Sequence, residues 1–228
     1  MSVGAYKDAV SSARAGVQTG LGAPLSPAGL AVEQKLIDFK DDRDALRLSY
    51  ENCFDIVTAA RTLQWISRPA MAIARMKKAA KAGGHVVVLD YNHENNAWKP
   101  EPPKEFRVFY QAFLDWRKAN EWDNRIADHI PELFQAAGLR SVRLFVEDYI
   151  VQFGDPDFGN ATGIWDHVMQ VLGPGMVKAA FLDHRELLEA EECYRTWAKT
   201  HLQRQSLYLR TVVGTVSAPP ANTQSVSF

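Results

Sequence analysis

The sequence is poor in exactly the features that would assign it quickly. It holds two cysteines, Cys53 and Cys193, with no CxxC pair. That excludes a disulfide framework and a thiolate zinc site, and it fits a reducing cytoplasm. Charge of one sign is not in excess: 26 Lys+Arg face 27 Asp+Glu, for a net charge of −1. No basic surface is implied for nucleic acid, and no basic tail for an anionic membrane. Long apolar runs are missing too. The longest, Val86 to Leu89, is far short of the ~20 residues that span a bilayer, and the first sixteen residues have no apolar signal-peptide core. The six histidines show no HExxH or other metal spacing, so no metal site is expected. There is no GxxxxGK[ST] loop and no GxSxG elbow. Asn160-Ala161-Thr162 matches a glycosylation triplet and, without a secretion signal, reads as chance.

What is present suits one folded domain. The chain has 228 residues, 46% hydrophobic and 11% aromatic, enough for a sizeable core. We expect a single domain over residues 1–216. Residues 217–228, the uncharged stretch SAPPANTQSVSF, should form a disordered tail.

Strand and helix signals alternate. Phe54–Ala59 is β-rich. Pro69 opens a helix expected to run to Lys81, with Ile73, Met76 and Ala80 at helical spacing and Gly83-Gly84 closing it. His85–Asp90 is a continuous apolar run, the pattern of a strand covered on both faces. Strand, helix and strand make one βαβ unit. Residues 92–103 form a polar, proline-rich loop. Phe106, Phe109, Tyr110, Phe113 and Trp116 then mark one face of a helix, most simply a core face. A helix from Asp128 to Ala137 ends at Gly138. Ser141–Phe153 reads as a strand, and Thr162–Leu172 as a helix stopped by Gly173-Pro174-Gly175. A long helix from Val177 to Gln203 carries Leu187, Tyr194, Trp197 and His201 on one face. Ser206–Val216 is a last strand.

The stretch Asp44-Ala-Leu-Arg-Leu-Ser-Tyr-Glu-Asn-Cys-Phe-Asp-Ile-Val, followed by TAARTLQWI, a helix and KAGGHVVVLD, resembles a pattern of class I S-adenosylmethionine-dependent methyltransferases, roughly D-A-x-x-L-P-F-x-x-x-S-F-D-x-V. Matching spacings extend from about Gly20 to Val216. The resemblance implies an α/β fold: a doubly wound, Rossmann-like, mostly parallel sheet with an antiparallel last strand, and helical insertions over its C-terminal edge. It implies the cofactor S-adenosylmethionine and a methyl acceptor.

Two departures stand out. Thr19–Leu30 resembles the family's second strand and the start of the next helix, but Gly-Ala-Pro occupies the place of the acid that binds the ribose hydroxyls. The family's first strand and its G-x-G-x-G loop should precede Ala13, and Gly4 is the only glycine in the first fifteen residues. The expectation is an N-terminally incomplete methyltransferase domain. The alternative is a noncatalytic, methyltransferase-like protein or a truncated fragment that no longer binds the cofactor, for which the open sheet edge suggests a homodimer.

The resemblance assigns cofactor contacts to Gly20, Gly22, Leu25, Asp44, Ala45, Ala60 and Arg61. Asp44 would take the adenine amine; its plainer reading is a solvated loop acid. Ala60 and Arg61 follow a strand at its C-terminal end, where ligands of open α/β sheets bind. Arg61 also suits a substrate carboxylate. His93 is the candidate general base, against the plainer reading of a surface-loop histidine. Tyr91, Trp98, Tyr110 and Trp165 are candidate walls for a small apolar or aromatic acceptor; the plainer reading of Tyr110 and Trp165 is core packing, and Trp98 also reads as an anchor of the proline-rich loop. No nucleic-acid or membrane partner is expected.

Overall fold

The computed structural model describes residues 51–217. Gly20, Gly22, Leu25, Asp44, Ala45, the expected N-terminal elements and the tail beyond Ser217 lie outside the described residues.

The first described strand, β1 (Phe54–Ala60), leads through helix α1 (Pro69–Ala79) to β2 (Ala80–Tyr91), and the two strands pair in parallel. This is the expected βαβ unit. Helix α1 starts with proline, which has no N–H to waste in a first turn. It stops at Ala79, two residues before the expected Lys81, because Ala80 is already extended. Gly83 and Gly84 therefore do not cap the helix. They shape the irregular start of β2: Gly83 has φ +79°, and a Cβ on Gly84 would stand 2.9 Å from the Asp55 carbonyl oxygen.

Beyond β2 the chain forms β3 (Ala97–Lys99), α2 (Lys104–Ala119), α3 (Ile126–Ala136), β4 (Arg140–Val146) and β5 (Tyr149–Gln152). Then come α4 (Phe158–Thr162), α5 (Ile164–Lys178), α6 (His184–Thr200), β6 (Arg204–Leu207) and β7 (Leu209–Thr215). The main sheet has the order β1-β2-β7-β4. Strand β7 is antiparallel to both its neighbours, so β1, β2 and β4 run one way and the last strand is inserted against them. This bears out the α/β reading with an antiparallel last strand.

Four expected elements are redrawn. The expected strand Ser141–Phe153 is two strands, β4 and β5, in two sheets. Likewise Ser206–Val216 divides at Tyr208 into β6, in a three-stranded antiparallel sheet of order β3-β6-β5, and β7. Helix α5 does not stop at Gly173-Pro174-Gly175 but continues to Lys178. There Gly173 receives the Leu187 side chain of α6: an added Cβ would lie 2.6 Å from it, and this packing holds the helix through the proline. The long helix begins at His184 instead of Val177. Asp183 forms a capping box with Glu186, each side chain bonding the other's backbone N–H at 2.7 Å.

Two main cores result. One lies between a face of the main sheet and α1 and α3, built on Ile73, Val86, Val88, Ile130, Phe134 and Val212. The other joins α2, α5 and α6 over the C-terminal end of β2, through Leu89, Tyr91, Phe106, Phe109, Phe113, Trp165, Met169 and Tyr194. The helical insertions thus cover the sheet edge, as expected. Tight packing of this second core makes the α2 aromatic face a core face, with Phe106, Phe109 and Phe113 all buried.

Candidate functional site

The C-terminal ends of β1 and β2 lie side by side: Ala60 pairs with Leu89, and the Arg61 N–H donates to the Leu89 carbonyl at 2.7 Å. Arg61 has φ +54°, a left-handed conformation uncommon for a non-glycine residue. The turn this makes sends Leu63-Gln64-Trp65 back as a short 3-10 helix beneath the end of β2. Asp90 closes the junction. It is fully buried, its Oδ2 accepting from the Gln64 N–H at 3.2 Å and its Oδ1 from the Tyr91 N–H at 3.0 Å. Burial pushes this carboxyl up to about 7, against the pull of backbone N–H donors and the Arg117 charge.

Asn92 then caps a second short 3-10 turn, His93–Asn95, by accepting from the Glu94 and Asn95 N–H groups. That cap turns His93 inward. It is 6% exposed, not on the surface. Its Nε2 lies 2.6 Å from Gln64 Oε1. An amide oxygen can only accept, so Nε2 carries the proton. Nδ1 is then unprotonated, and it is buried with no partner. The ring stacks on Tyr91, with centroids 5.2 Å apart, and meets Phe113 edge-on at 5.5 Å. Burial, then the nearby Arg117 charge, lowers the His93 pKa well below its ordinary value, so the ring is neutral.

Arg117 ties these pieces together. It is wholly buried, donating from Nε to Asn124 Oδ1 and from Nη2 to the Gln64 carbonyl, each at 2.8 Å. Its guanidinium lies over the Trp65 ring at 4.6 Å and the Phe113 ring at 5.3 Å. Desolvation lowers its pKa to about 10, still charged at neutral pH. Asn124 in turn accepts the His93 N–H at its carbonyl, 2.8 Å away. The Gln64–Asp90–His93–Arg117–Asn124 network therefore holds His93 at its ring, through Gln64, and at its backbone, through Asn124.

A wall of aromatic side chains stands beside the network. Trp98 and Trp165 each meet the Tyr110 ring edge-on at 5.0 Å, and the two tryptophans are 5.7 Å apart. The Tyr110 hydroxyl donates to the His93 carbonyl at 2.5 Å, and Trp98 Nε1 donates to Gln205 Oε1 at 3.0 Å. Trp165 is buried, and its Nε1 has no partner. His167, its neighbour on α5, is exposed.

The structure thus brings together Ala60, Arg61, Tyr91, His93, Trp98, Tyr110 and Trp165 at one edge of the sheet. Arg61 extends its guanidinium over Tyr91, 5.5 Å from the ring centroid, and its buried Nε has no partner. Sequence reasoning missed Gln64, Arg117 and Asn124 as members of this cluster. For Arg117 a signal existed: it follows Phe106, Tyr110 and Phe113 at helical spacing, placing a cation on the core face of α2. Among the described residues, no group of three or more His, Cys, Asp or Glu is placed to hold a metal ion. No helix there is long and apolar enough to cross a membrane.

Comparison with known proteins adds a family. Residues 8–88 match the methyltransferase domain family. A stretch of 74 residues is 35% identical to the ubiquinone/menaquinone biosynthesis C-methyltransferase UbiE of Burkholderia mallei, covering 32% of this chain and 29% of that protein. The same protein from Burkholderia thailandensis matches to the same extent. The chain spans under a third of the length of these curated relatives. Similar solved structures include the YcgJ protein of Bacillus subtilis, at 11% identity over 74% of this chain and 66% of that chain, with a TM-score of 0.40. Another is phosphoethanolamine N-methyltransferase 2 of Haemonchus contortus, at 13% identity over 74% and 34%, with a TM-score of 0.38. The methyltransferase resemblance read in the sequence is borne out by the family match over residues 8–88.

Proposed function

We propose that this chain transfers a methyl group from S-adenosylmethionine to a small apolar or aromatic acceptor at the C-terminal edge of β1 and β2. The observation that carries the proposal is the family match over residues 8–88, which runs into the βαβ unit that ends in this edge. When bound, S-adenosylmethionine supplies a methyl carbon made electrophilic by its positively charged sulfur. The chain's own task is then alignment and exclusion of water.

The described residues suit that cofactor. Arg61 offers a buried N–H donor without a partner, of the kind that bonds a carboxylate, directly after the strand end where the resemblance puts the methionine part. Ala60 beside it, with Gly20, Gly22, Leu25, Asp44 and Ala45, completes the proposed cofactor contacts. Tyr91, Trp98, Tyr110 and Trp165 supply an aromatic wall for the acceptor. The unpartnered Trp165 Nε1 is a donor for an oxygen on it. Because the His93 Nδ1 lone pair is open, it can accept a hydrogen bond, and finally a proton, from the acceptor's nucleophilic atom. With the cofactor bound, the nucleophile would take its methyl group, the bonding pair staying with the sulfur, and His93 Nδ1 would receive the proton that the nucleophile gives up. The depressed pKa makes His93 a weak base, so orienting the nucleophile is its larger contribution. The UbiE relatives are named for C-methylation in quinone biosynthesis, and an aromatic acceptor would fit the same wall.

The test is a calorimetric titration of the folded chain with S-adenosylhomocysteine. Binding at micromolar strength, about 8 kcal/mol, weakened in Arg61→Ala, is the expected result. No heat from a chain shown to be folded would overturn the proposal.

A further inference from the structure

Among the described residues β4 is one of the two outer strands of the main sheet, and through Glu147-Asp148 it continues into β5, an outer strand of the smaller sheet. Apolar side chains stand out along this edge: Leu144 is 46% exposed and Val146 65%, and Ile150 and Phe153 are exposed beyond them. An exposed apolar edge strand is a ready template for another strand.

The edge is also complementary to itself. Arg143-Leu144-Phe145-Val146-Glu147 reads cation, three apolar residues, anion, symmetrically about Phe145. Backbone phase limits how two such strands can meet. Glu147 donates its N–H inward, to the Leu209 carbonyl at 3.1 Å. By the alternation of antiparallel pairing, Phe145 also turns its backbone groups toward β7, while Leu144 and Val146 turn theirs outward. Directly opposed residues must share this phase, so odd numbers face odd and even face even. A two-fold axis at Phe145 satisfies this. It sets Leu144 opposite Val146 and Arg143 opposite Glu147, twice each. Of the competing registers, the one centred on Leu144 would pair Arg140 with Asp148, and the one centred on Val146 would set Leu144 opposite Asp148. Asp148 is already committed to Arg210, at 2.5 Å, and to the Leu209 N–H at 3.2 Å. Moreover, β4 is irregular between Arg140 and Arg143.

We propose that β4 pairs antiparallel with β4 of a second copy of this chain about a two-fold axis at Phe145, joining the two main sheets into one. The contact is isologous and closed, since each copy offers the same segment to the other. On one face Leu144 and Val146 of both copies cover each other. On the opposite face the Arg143–Glu147 pairs flank the two Phe145 rings, against which Arg143 is already stacked at 5.7 Å within one copy. The dimer is independent of the chemistry proposed above.

Light scattering on the full chain tests it. The expected mass is twice the 25.5 kDa of one chain. Glu147→Arg sets arginine against Arg143 at two places, and Arg143→Glu sets two acids together. Each should weaken the dimer roughly tenfold or more. Mixing the two variants should restore a dimer, because each supplies the charge the other lacks; misfolding of a single variant could not produce that recovery. A monomer at about 100 μM, where even a weak association registers, would overturn the proposal. So would a dimer indifferent to both substitutions, or an open-ended series of larger assemblies.

Discussion

His93 and Gln64, 29 residues apart in sequence, share a buried hydrogen bond of 2.6 Å between Nε2 and Oε1. That bond selects the tautomer with hydrogen on Nε2, and burial keeps the ring neutral. In a nitrogen-detected NMR titration one histidine should therefore keep the neutral Nε2–H signature below pH 6. Replacing Gln64 by Glu puts a carboxylate against Nε2 and favours the imidazolium. In Gln64→Glu the same resonance should titrate at least one pH unit higher than in the parent protein. Unchanged titration would mean that Gln64 does not set the state of this ring.

Asp90 gives stability a pH dependence of known sign. Its folded-state pKa, about 7, lies above the ordinary carboxyl value of 3.8. Between those values the folded state holds a proton that the unfolded state has released. The Asp90 contribution is thus fully present below pH 3.8 and is lost as pH rises toward 7. His93 acts oppositely, its contribution being present above about 6.5 and lost as pH falls. Comparing denaturation of the parent protein with Asp90→Asn at each pH isolates the first effect. The difference in stability should move in favour of the variant by up to about 1.4 kcal/mol per pH unit from pH 4 to 7. A difference independent of pH in that window would show that Asp90 is ionised throughout.

The boundaries that the sequence misplaced share a physical cause. Periodicity correctly located β1, α1 and the apolar run of β2, because local pattern decides those elements. It misjudged α5, where Gly173-Pro174-Gly175 is a strong local stop. The stop fails because Leu187, fourteen residues on, packs into the space that glycine leaves. The start of α6 was legible in Asp183 and Glu186, a capping-box spacing, but the apolar pattern from Val177 masked it. At the site, Tyr91, His93 and Arg61 were found because each ends a strand or follows one. Gln64, Arg117 and Asn124 were not, since their partners lie 53 residues away along the chain for Arg117 and Gln64. A histidine read as a loop residue proved buried for the same reason: its ring nitrogen meets Gln64, 29 residues away along the chain.

Gly214, next to the last residue of β7, has no room for a side chain. A Cβ there would stand 2.8 Å from Phe134 and 3.0 Å from the Cβ of Leu139. The Leu139 Cβ is fixed to its backbone and cannot rotate away. Gly214→Ala should therefore separate α3 from the sheet and cost about 1–3 kcal/mol in chemical denaturation. An unchanged midpoint would mean that the core under α3 adjusts at no cost. Gly159, which has no atom within 4 Å of the corresponding position, serves as the control, since Gly159→Ala should change stability little.

Arg117 should be the least replaceable residue of the cluster. It is completely buried and reaches two acceptors, the Gln64 carbonyl and Asn124 Oδ1, from two different nitrogens of one planar group. Removing it leaves both acceptors buried and unsatisfied and opens a cavity between Trp65 and Phe113. Arg117→Ala should lose on the order of 3–5 kcal/mol. Lysine keeps the charge but concentrates its donors at one point and cannot span both acceptors, so Arg117→Lys should recover only part of that loss. If the role of Arg117 were only to supply charge near Asp90, lysine would restore full stability. If its role were only to fill volume, Arg117→Met would match the parent protein, and the His93 resonance would stay where it was. The expected pattern is different. Both substitutions should fall short in stability, and both should shift the His93 resonance, because Gln64, which bonds the ring, and Asn124, which bonds its backbone, are both held by the guanidinium.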